Sequence, residues 1–149
     1  MIAIIQRVKK ATVTPGGSCS SGYMILLGVL QGDTKNEAEL LAAKAANLRV
    51  FCDENDKMNL SLTDVKGEAL VVSNFTLSAD TKKGNRPSFT SAAPPAEAEE
   101  LYEYFARKLT ENGVSRVETG VFGADMEIEM TADGPVTITL NTDTWKRSN

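Results

Sequence analysis

Apolar and polar residues alternate along several segments of the chain with a period of two, which is the pattern of half-buried β-strands. Two further segments at the start of the chain are also predicted as strands, and a third, apolar segment follows a turn rich in small residues. A short strand and a buried strand are predicted further along, and the buried strand meets a polar break at Ser73 before its apolar run resumes. The predicted strands cover 2–8, 11–14, 23–27, 49–51 and 68–72.

Two other segments show a helical period. Thr34 and Glu37 have the spacing of a capping box, in which both side chains satisfy N–H groups at a helix start. The apolar stripe of this first helix consists of Ala38, Leu41, Ala42, Ala45 and Leu48. The second helix is predicted to begin near Pro94 and Pro95 and to stop at Gly113, since proline favours a first turn and glycine a helix end. Its predicted buried face consists of Ala98, Leu101, Tyr102, Phe105 and Leu109.

A glycine and a proline stand between the last two predicted strands, 126–130 and 136–140. A proline at that place removes an N–H donor from the sheet. On the pattern alone we favour an ordinary tight turn, in which Asp133 and Gly134 form the hairpin and Pro135 provides a rigid exit. The sharper alternative is a fixed, exposed main-chain loop that serves in recognition.

The order of elements is strands, helix, strands, helix, strands, which predicts an α+β fold. We expect one compact domain over residues 1–149, with two main helices covering one side of largely antiparallel β-sheets. The longest apolar run is too short to span a bilayer, and the N-terminal residues lack the pattern of a secretion signal. We therefore expect a cytoplasmic protein without a membrane partner.

Histidine is absent from all 149 residues. This excludes Ser-His-Asp and Cys-His catalysis, because histidine is the side chain whose ordinary pKa suits proton transfer near neutral pH. The base of a hydrolase would have to be a carboxylate, a lysine, a positioned water or a group of the substrate. Cys19 and Cys52 have no metal-binding spacing, so we expect reduced thiols, no metal and no cofactor.

A formal net charge of -4 argues against a long nucleic-acid footprint, since duplex binding scales with the number of phosphates neutralised. We expect no DNA partner, while contact with a short nucleic-acid end stays open. Lys82, Lys83 and Arg86 form a basic loop in this acidic chain. That loop either holds phosphate or is solvated surface, and three charges do not decide between the two.

The polar break contains two hydroxyls, an amide and an aromatic ring, from Ser73 to Thr76. The simplest interpretation is a strand that only pairs and packs, because a Ser or Thr nucleophile normally needs an adjacent base. The functional alternative is an oxyanion hole made of main-chain N–H groups, which needs no special side chain. Phe75, Phe89 and Phe122 are expected in the core, with stacking on an exposed base as the alternative, above all for Phe75.

Many short segments in order resemble the D-aminoacyl-tRNA deacylases, which remove D-amino acids mistakenly attached to tRNA. The resemblance runs through most of the chain and ends on the Asp133-Gly134-Pro135 sequence. The segments that carry it are 5–8, 26–29, 32–33, 57–61, 70–77, 79–80, 83–84, 86–89, 119–120, 122–126 and 133–137.

The resemblance implies a homodimer in which Gly134 and Pro135, joined by a cis peptide bond, enter the partner's pocket and face its 73–76 segment. The Gly-Pro pair would bind the α-amino group of a D-amino acid and leave no room for an L side chain, whereas glycine would pass. The main chain at Phe75 and Thr76 would hold the ester carbonyl, and the 2′-hydroxyl of the terminal adenosine would help to activate water.

The resemblance also implies roles for individual side chains. Arg7 would brace the Gly-Pro loop and Phe75 would lie against the adenosine. Met126, together with the basic loop, would belong to the surface that binds the aminoacyl end of the tRNA. The site residues expected on this basis are Arg7, Ser73, Asn74, Phe75, Thr76, Lys82, Lys83, Arg86, Met126, Gly134 and Pro135.

Two positions depart from the usual family pattern, which has glutamine at Asn74 and asparagine at Ala132. These differences bear on catalytic efficiency and substrate range more than on the fold. Two other functions stay open: a weakly active or non-catalytic protein that binds the tRNA acceptor end, and a broader ester hydrolase with Thr76 as covalent nucleophile.

Overall fold

Eight strands and two α-helices make up the part of the chain that this computed structural model describes, residues 1–146. Their bounds in chain order are β1 (Ile2–Thr14), β2 (Ser18–Cys19), β3 (Gly22–Gly28), α1 (Lys35–Asn47), β4 (Phe51–Cys52), β5 (Met58–Leu60), β6 (Glu68–Ser73), α2 (Pro95–Glu111), β7 (Arg116–Thr119) and β8 (Glu127–Asn141). Short 3-10 helices follow β6 at Phe75–Ser78 and β8 at Thr142–Trp145.

Six strands form one mixed sheet, in the order β2-β1-β3-β6-β7 with β8 also on β1. β1 pairs antiparallel with β2, β3 and β8, whereas the pairs β3–β6 and β6–β7 are parallel. The parallel pairs follow from the two crossover connections, which contain α1 and α2. The predicted α+β class is therefore confirmed, and the two parallel pairs are the part that the alternation of residues did not indicate.

The sheet has an apolar layer on each face. The larger cluster joins one face of β1, β3 and β6 to the buried faces of both helices. The other face carries a smaller cluster, because β1 shifts register between Gln6 and Lys10 and its second half packs there. Val8, Ala11, Val13, Cys19, Met24, Leu70 and Val72 form this second cluster. Burial raises the pKa of the Cys19 thiol to about 11, which keeps it protonated near neutral pH.

Both helices lie where the sequence predicts them. Thr34 caps α1, and the reciprocal hydrogen bonds of the capping box are present. The buried residues of α1 are Ala38, Leu41, Ala42, Ala45 and Ala46. α2 starts with Pro95 at its first position and buries Leu101, Tyr102, Phe105 and Leu109. Neither helix, nor any other helix among residues 1–146, has the length and hydropathy needed to cross a membrane.

The favoured interpretation of Gly134 and Pro135 as a hairpin turn is wrong. The two predicted strands are one strand, β8, and both of its halves pair antiparallel with β1. Residues 133–136 lie opposite the single residue Arg7, between the pairs Gln6–Thr137 and Val8–Ala132. The 13-residue β1 is long enough to serve both halves, so the Gly-Pro pair forms a bulge and not a chain reversal.

Two smaller predictions also differ from the structure. The segments 2–8 and 11–14 form one strand, because irregular pairing bends β1 without ending it. The buried strand does not resume after its polar break. It ends at Ser73, and the next residues turn into a 3-10 helix capped by Asn74.

One buried hydroxyl has no hydrogen-bond partner among the described residues. Tyr23 is 0% exposed and its ring stacks on Phe51 with centroids 5.4 Å apart. Its hydroxyl makes no hydrogen bond, and burial raises the pKa of the phenol. Tyr102 is the matched contrast, because its equally buried hydroxyl donates to the carbonyl of Val71 at 3.0 Å.

The two tyrosines are therefore expected to respond oppositely to loss of the hydroxyl. Tyr23→Phe should leave the free energy of unfolding unchanged or raise it by about 1 kcal/mol, because a polar group without a partner leaves the core. Tyr102→Phe should lower it by about 1 kcal/mol, because a buried hydrogen bond is lost, while the Val71 carbonyl keeps the Gly120 N–H as its donor. Urea unfolding of both variants measures this, and equal losses would show that the Tyr23 hydroxyl is satisfied in solution.

Candidate active site

A cavity of about 710 Å³ opens where β3 and β6 end, beside the start of α2. The first three residues of the 73–76 segment form one wall, and aromatic and small apolar residues form the rest. The lining consists of Leu27, Val29, Ser73, Asn74, Phe75, Phe89, Thr90, Ala92, Ala93, Pro94, Pro95, Ala98, Tyr102, Phe122, Gly123, Ala124 and Met126. This volume and apolar character are typical of small-molecule sites.

Asn74 ends the strand and starts the 3-10 helix. Its N–H donates to the carbonyl of Leu27 at 2.8 Å, so the segment stays attached to β3. Its side-chain oxygen accepts from the N–H of Thr76 at 3.2 Å and also from the Thr76 hydroxyl. This is an Asx turn, in which an asparagine replaces a main-chain acceptor at a helix start.

Phe75 is 60% exposed, so the expectation that it lies in the core is wrong. Its ring meets Phe89 edge to face, with centroids 5.2 Å apart, and the pair lies at the cavity wall. The Phe75 N–H has no acceptor among the described residues, whereas the Thr76 N–H is used by Asn74. One main-chain donor is therefore available at this wall, where we expected two.

Tyr102 and Phe122 close the back of the cavity and were not among the expected site residues. Their rings lie 5.8 Å apart, and the Tyr102 hydroxyl reaches the carbonyls of Val71 and Gly120. Burial raises the pKa of Tyr102, which keeps its hydroxyl protonated as a donor. The helical pattern predicted burial of Tyr102, and a polar hydroxyl within an apolar stripe was the available signal for a further role.

The cavity wall has no general base. Tyr102 is its one ionisable residue, and no group of three histidine, cysteine, aspartate or glutamate residues is placed to hold a metal within residues 1–146. Chemistry at this wall therefore depends on main-chain groups, neutral side chains and the bound molecule itself.

The Gly134-Pro135 bulge is held by a buried arginine. Arg7 is 9% exposed, and its Nε donates to the carbonyl of Asp133 at 3.2 Å and lies 3.4 Å from the Asp133 carboxylate. On the other side, Nη1 donates to the carbonyl of Val50 at 2.6 Å, and the guanidinium lies 6.0 Å from the centre of the Phe51 ring. A buried guanidinium with these partners is fixed in place.

The bulge itself leaves no room for a side chain. Gly134 has a φ of +124°, which favours glycine, and its peptide bond to Pro135 is cis. An added Cβ there would lie 2.9 Å from Cγ2 of Val136 and 3.3 Å from Nη2 of Arg7. The main chain of the bulge is therefore tightly packed and exposed at the same time.

The bulge lies far from the cavity of its own chain. The strand register places Arg7 beside Tyr23 and Tyr23 beside Ala69, so three strand spacings, about 14 Å, separate β8 from β6. Ser73 lies four residues further along β6, which adds about 13 Å in the strand direction. The structure thus brings Asn74, Phe75 and Met126 together, and it leaves Arg7 and the Gly-Pro pair elsewhere.

The basic loop lies next to the cavity without lining it. Lys82, Lys83 and Arg86 are exposed, and the loop is closed at its base by two hydrogen bonds between the main chains of Asp80 and Ser88. Phe89 follows directly and lines the cavity. Thr76 is also outside the lining, one residue beyond Phe75. The loop is therefore joined to the cavity lining through Phe89.

Comparison with known proteins identifies the family of this chain. The sequence model of the D-Tyr-tRNA(Tyr) deacylase family matches residues 4–141. Proteins named D-aminoacyl-tRNA deacylase from Ruegeria pomeroyi and Koribacter versatilis are 54% and 53% identical to this chain. Each match covers 95% of this chain, with 99% of the first relative and 97% of the second.

Two solved structures share the fold. One, named c-Myc DNA Unwinding Element Binding Protein, superposes with a TM-score of 0.88 at 41% identity, covering 95% of this chain and 98% of its own. The other, described as a probable eukaryotic D-amino acid tRNA deacylase, has a TM-score of 0.80 at 15% identity, covering 93% of this chain and 97% of its own. The family match spans nearly the whole sequence, and the chain therefore belongs to the D-Tyr-tRNA(Tyr) deacylase family.

Proposed function

We propose that this deacylase hydrolyses the ester between a D-amino acid and the terminal adenosine of tRNA, and releases the free D-amino acid and the tRNA. The observation that carries the proposal is a cavity wall with an available main-chain N–H at Phe75 and no side chain able to act as base. Such a site suits a substrate that brings its own proton-transfer group. The cytoplasm is the compartment that we expect for this reaction.

The 2′-hydroxyl of the terminal adenosine is the group that would supply this help. It orients and polarises a water, whose oxygen attacks the ester carbonyl carbon. The negative charge that forms on the carbonyl oxygen is stabilised by the Phe75 N–H. When the intermediate collapses, the ester bond breaks, the proton that the attacking water lost passes by way of the 2′-hydroxyl to the 3′-oxygen of the adenosine, and the amino acid leaves with the water oxygen.

The adenosine is placed by the aromatic side of the cavity. The exposed face of Phe75 suits stacking on the adenine, since a base and an aromatic ring stack without sequence preference. Met126 borders the same cavity, and in the proposed arrangement the exposed Lys82, Lys83 and Arg86 of the neighbouring loop receive the phosphates of the acceptor end. Three exposed charges suit a short single-stranded end and not a duplex.

Chirality is read by the Gly134-Pro135 main chain of a second copy. In one chain the bulge and the cavity wall are separated by three strand spacings, so a homodimer is needed to bring them together. In the proposed arrangement the α-amino group of a D-amino acid binds the bulge. An L side chain would point into the same packed main chain and is excluded, whereas glycine has no side chain and passes.

A covalent mechanism through Thr76 is the weaker alternative. Its hydroxyl donates to the side chain of Asn74, which is not a base, so nothing takes the proton that a nucleophile must lose. A binding protein without activity is the other alternative, and the assay below separates it. We do not extend DNA binding from the similar structure to this chain, because a net charge of -4 disfavours duplex contact.

Purified protein should hydrolyse D-tyrosyl-tRNA and glycyl-tRNA and spare L-tyrosyl-tRNA. The reason is that discrimination depends on the direction of the side chain and not on its chemistry. Release of labelled amino acid under single-turnover conditions measures all three rates. Equal hydrolysis of both tyrosyl esters, or none at enzyme in excess of tRNA, would contradict the proposed function.

The shared site predicts complementation between two impaired variants. Gly134→Ala damages the bulge and Phe75→Ala damages the cavity wall, so each homodimer carries the same lesion twice. Unfolding and refolding the two together should restore roughly a quarter of wild-type activity, because half of the dimers are mixed and each has one intact site. Each variant refolded alone is the control, and a mixture no more active than the separate variants would place bulge and wall in one chain.

Arg7→Lys should reduce D-tyrosyl-tRNA hydrolysis by about tenfold or more, because an ammonium group cannot hold both the Val50 and Asp133 carbonyls as the guanidinium does. The ratio of D to L hydrolysis should fall with it, since the bulge loses its fixed position. Lys10→Arg, an exposed position on the same strand, is the matched control. An unchanged D to L ratio in Arg7→Lys would show that Arg7 does not brace the bulge.

A further inference from the structure

Asn74 holds Thr76 through two hydrogen bonds to one oxygen, and this leaves Phe75 with the available donor of the segment. We infer that Asn74 is a positioning residue of the deacylation, which sets the direction of the Phe75 N–H by capping the 3-10 helix. This role rests on the proposed function, because it concerns the donor that stabilises the oxyanion. Asn74 itself need not touch the reacting atoms.

The main chain of Asn74 is fixed independently of its side chain. Its N–H is bonded to the Leu27 carbonyl at 2.8 Å, and its own carbonyl accepts from Leu77 at 3.3 Å. Gly28 lies directly beneath, where an added Cβ would approach the Asn74 carbonyl to 3.2 Å and the Cβ of Leu77 to 2.9 Å. The start of the 3-10 helix is therefore attached to the end of β3. The side chain of Asn74 can still affect the conformation of the two residues that follow it.

The side chain of Asn74 adds a second hydrogen bond across that turn, to Thr76. Residue Asn74 has extended main-chain angles, φ -149° and ψ 91°, from which its short amide reaches the N–H two residues on. Without an acceptor there, the Thr76 N–H would become a second unpaired donor and the first helical turn would lose its cap. Phe75 lies between Asn74 and Thr76, so the direction of its N–H depends on how both neighbouring residues are held.

The hydrogen bond between Thr76 and the Asn74 side chain also indicates the role of the Thr76 hydroxyl. It donates to the oxygen of Asn74, so it helps to hold the cap and is not deprotonated. Its removal should therefore weaken the cap slightly, because the N–H bond to Asn74 remains. Loss of the Asn74 side chain removes both bonds and should affect the oxyanion donor much more.

The test compares Asn74→Ala, Asn74→Ser and Thr76→Val with wild type in steady-state hydrolysis of D-tyrosyl-tRNA. Asn74→Ala should lower kcat about tenfold or more and change KM less than twofold, because the Phe75 ring still receives the adenosine. Asn74→Ser should recover part of kcat, since a serine hydroxyl forms the same turn more weakly. Thr76→Val should lower kcat by no more than about threefold.

Amide hydrogen exchange provides a readout that does not depend on activity. The Thr76 amide should exchange slowly in wild type and at least tenfold faster in Asn74→Ala, while the Phe75 amide exchanges quickly in both. Thermal unfolding of each variant checks that the fold is kept.

The outcomes separate the two proposals. If the wild-type protein is active and Asn74→Ala has an unchanged kcat, the positioning role is overturned and the proposed function is kept. The same conclusion follows if the Thr76 amide is unprotected from exchange in an active wild-type protein. Loss of all activity in Thr76→Val overturns it in favour of a covalent mechanism. A wild-type protein that does not hydrolyse D-tyrosyl-tRNA overturns the proposed function and the positioning role with it.

Discussion

The pairing of β8 with β1 is the constraint from which the rest of the molecule follows. One strand of 13 residues serves β3 on one edge and both halves of β8 on the other, so the last strand closes against the first. The larger of the two register shifts in this pairing lies opposite Arg7, whose buried charge is paired with the bulge and with the segment before β4. At this interruption of the sheet, the main chain of the bulge is held by Arg7 and exposed on the surface.

Main-chain groups take the place of titrating side chains throughout the proposed site. A sequence without histidine leaves a cavity wall without a base, and in the proposed arrangement recognition depends on an N–H at Phe75 and on the peptide groups of a Gly-Pro pair. Main-chain atoms are positioned by the fold and are the same for every side chain of the substrate. They therefore suit an enzyme that must distinguish handedness while accepting many amino acids.

The sequence predicted those elements whose signal is local. Helix α1 follows from the capping box at Thr34, and the continuous apolar run in 69–72 follows from burial of a strand on both faces. The hairpin at Gly134 was wrong because alternation shows that a segment is a strand but not which strand it pairs with. Phe75 was misplaced in the core because its apolar character predicts burial, whereas the turn made by Asn74 carries its ring outward.

The site was predictable only in part, because local sequence patterns do not show which distant elements come together. The 73–76 segment could be selected from its polar break, but Tyr102 and Phe122 join it from elements distant in sequence. The resemblance to a family supplied the pairing of Gly134-Pro135 with Phe75, which no local pattern contains. If the proposed pairing holds, the three strand spacings between the bulge and the cavity of one chain would require two copies.

Under the proposed arrangement, selectivity for D-amino acids depends on the assembly of two copies. A lone chain has the cavity wall, the aromatic rings and the oxyanion donor, but it has no main chain placed to bind the amino group or to exclude an L side chain. Dissociation would therefore remove the chiral filter before it removed the fold. A protein that must spare the far more abundant L-aminoacyl-tRNA would therefore depend on staying dimeric, because a lone chain would keep the oxyanion donor without the filter.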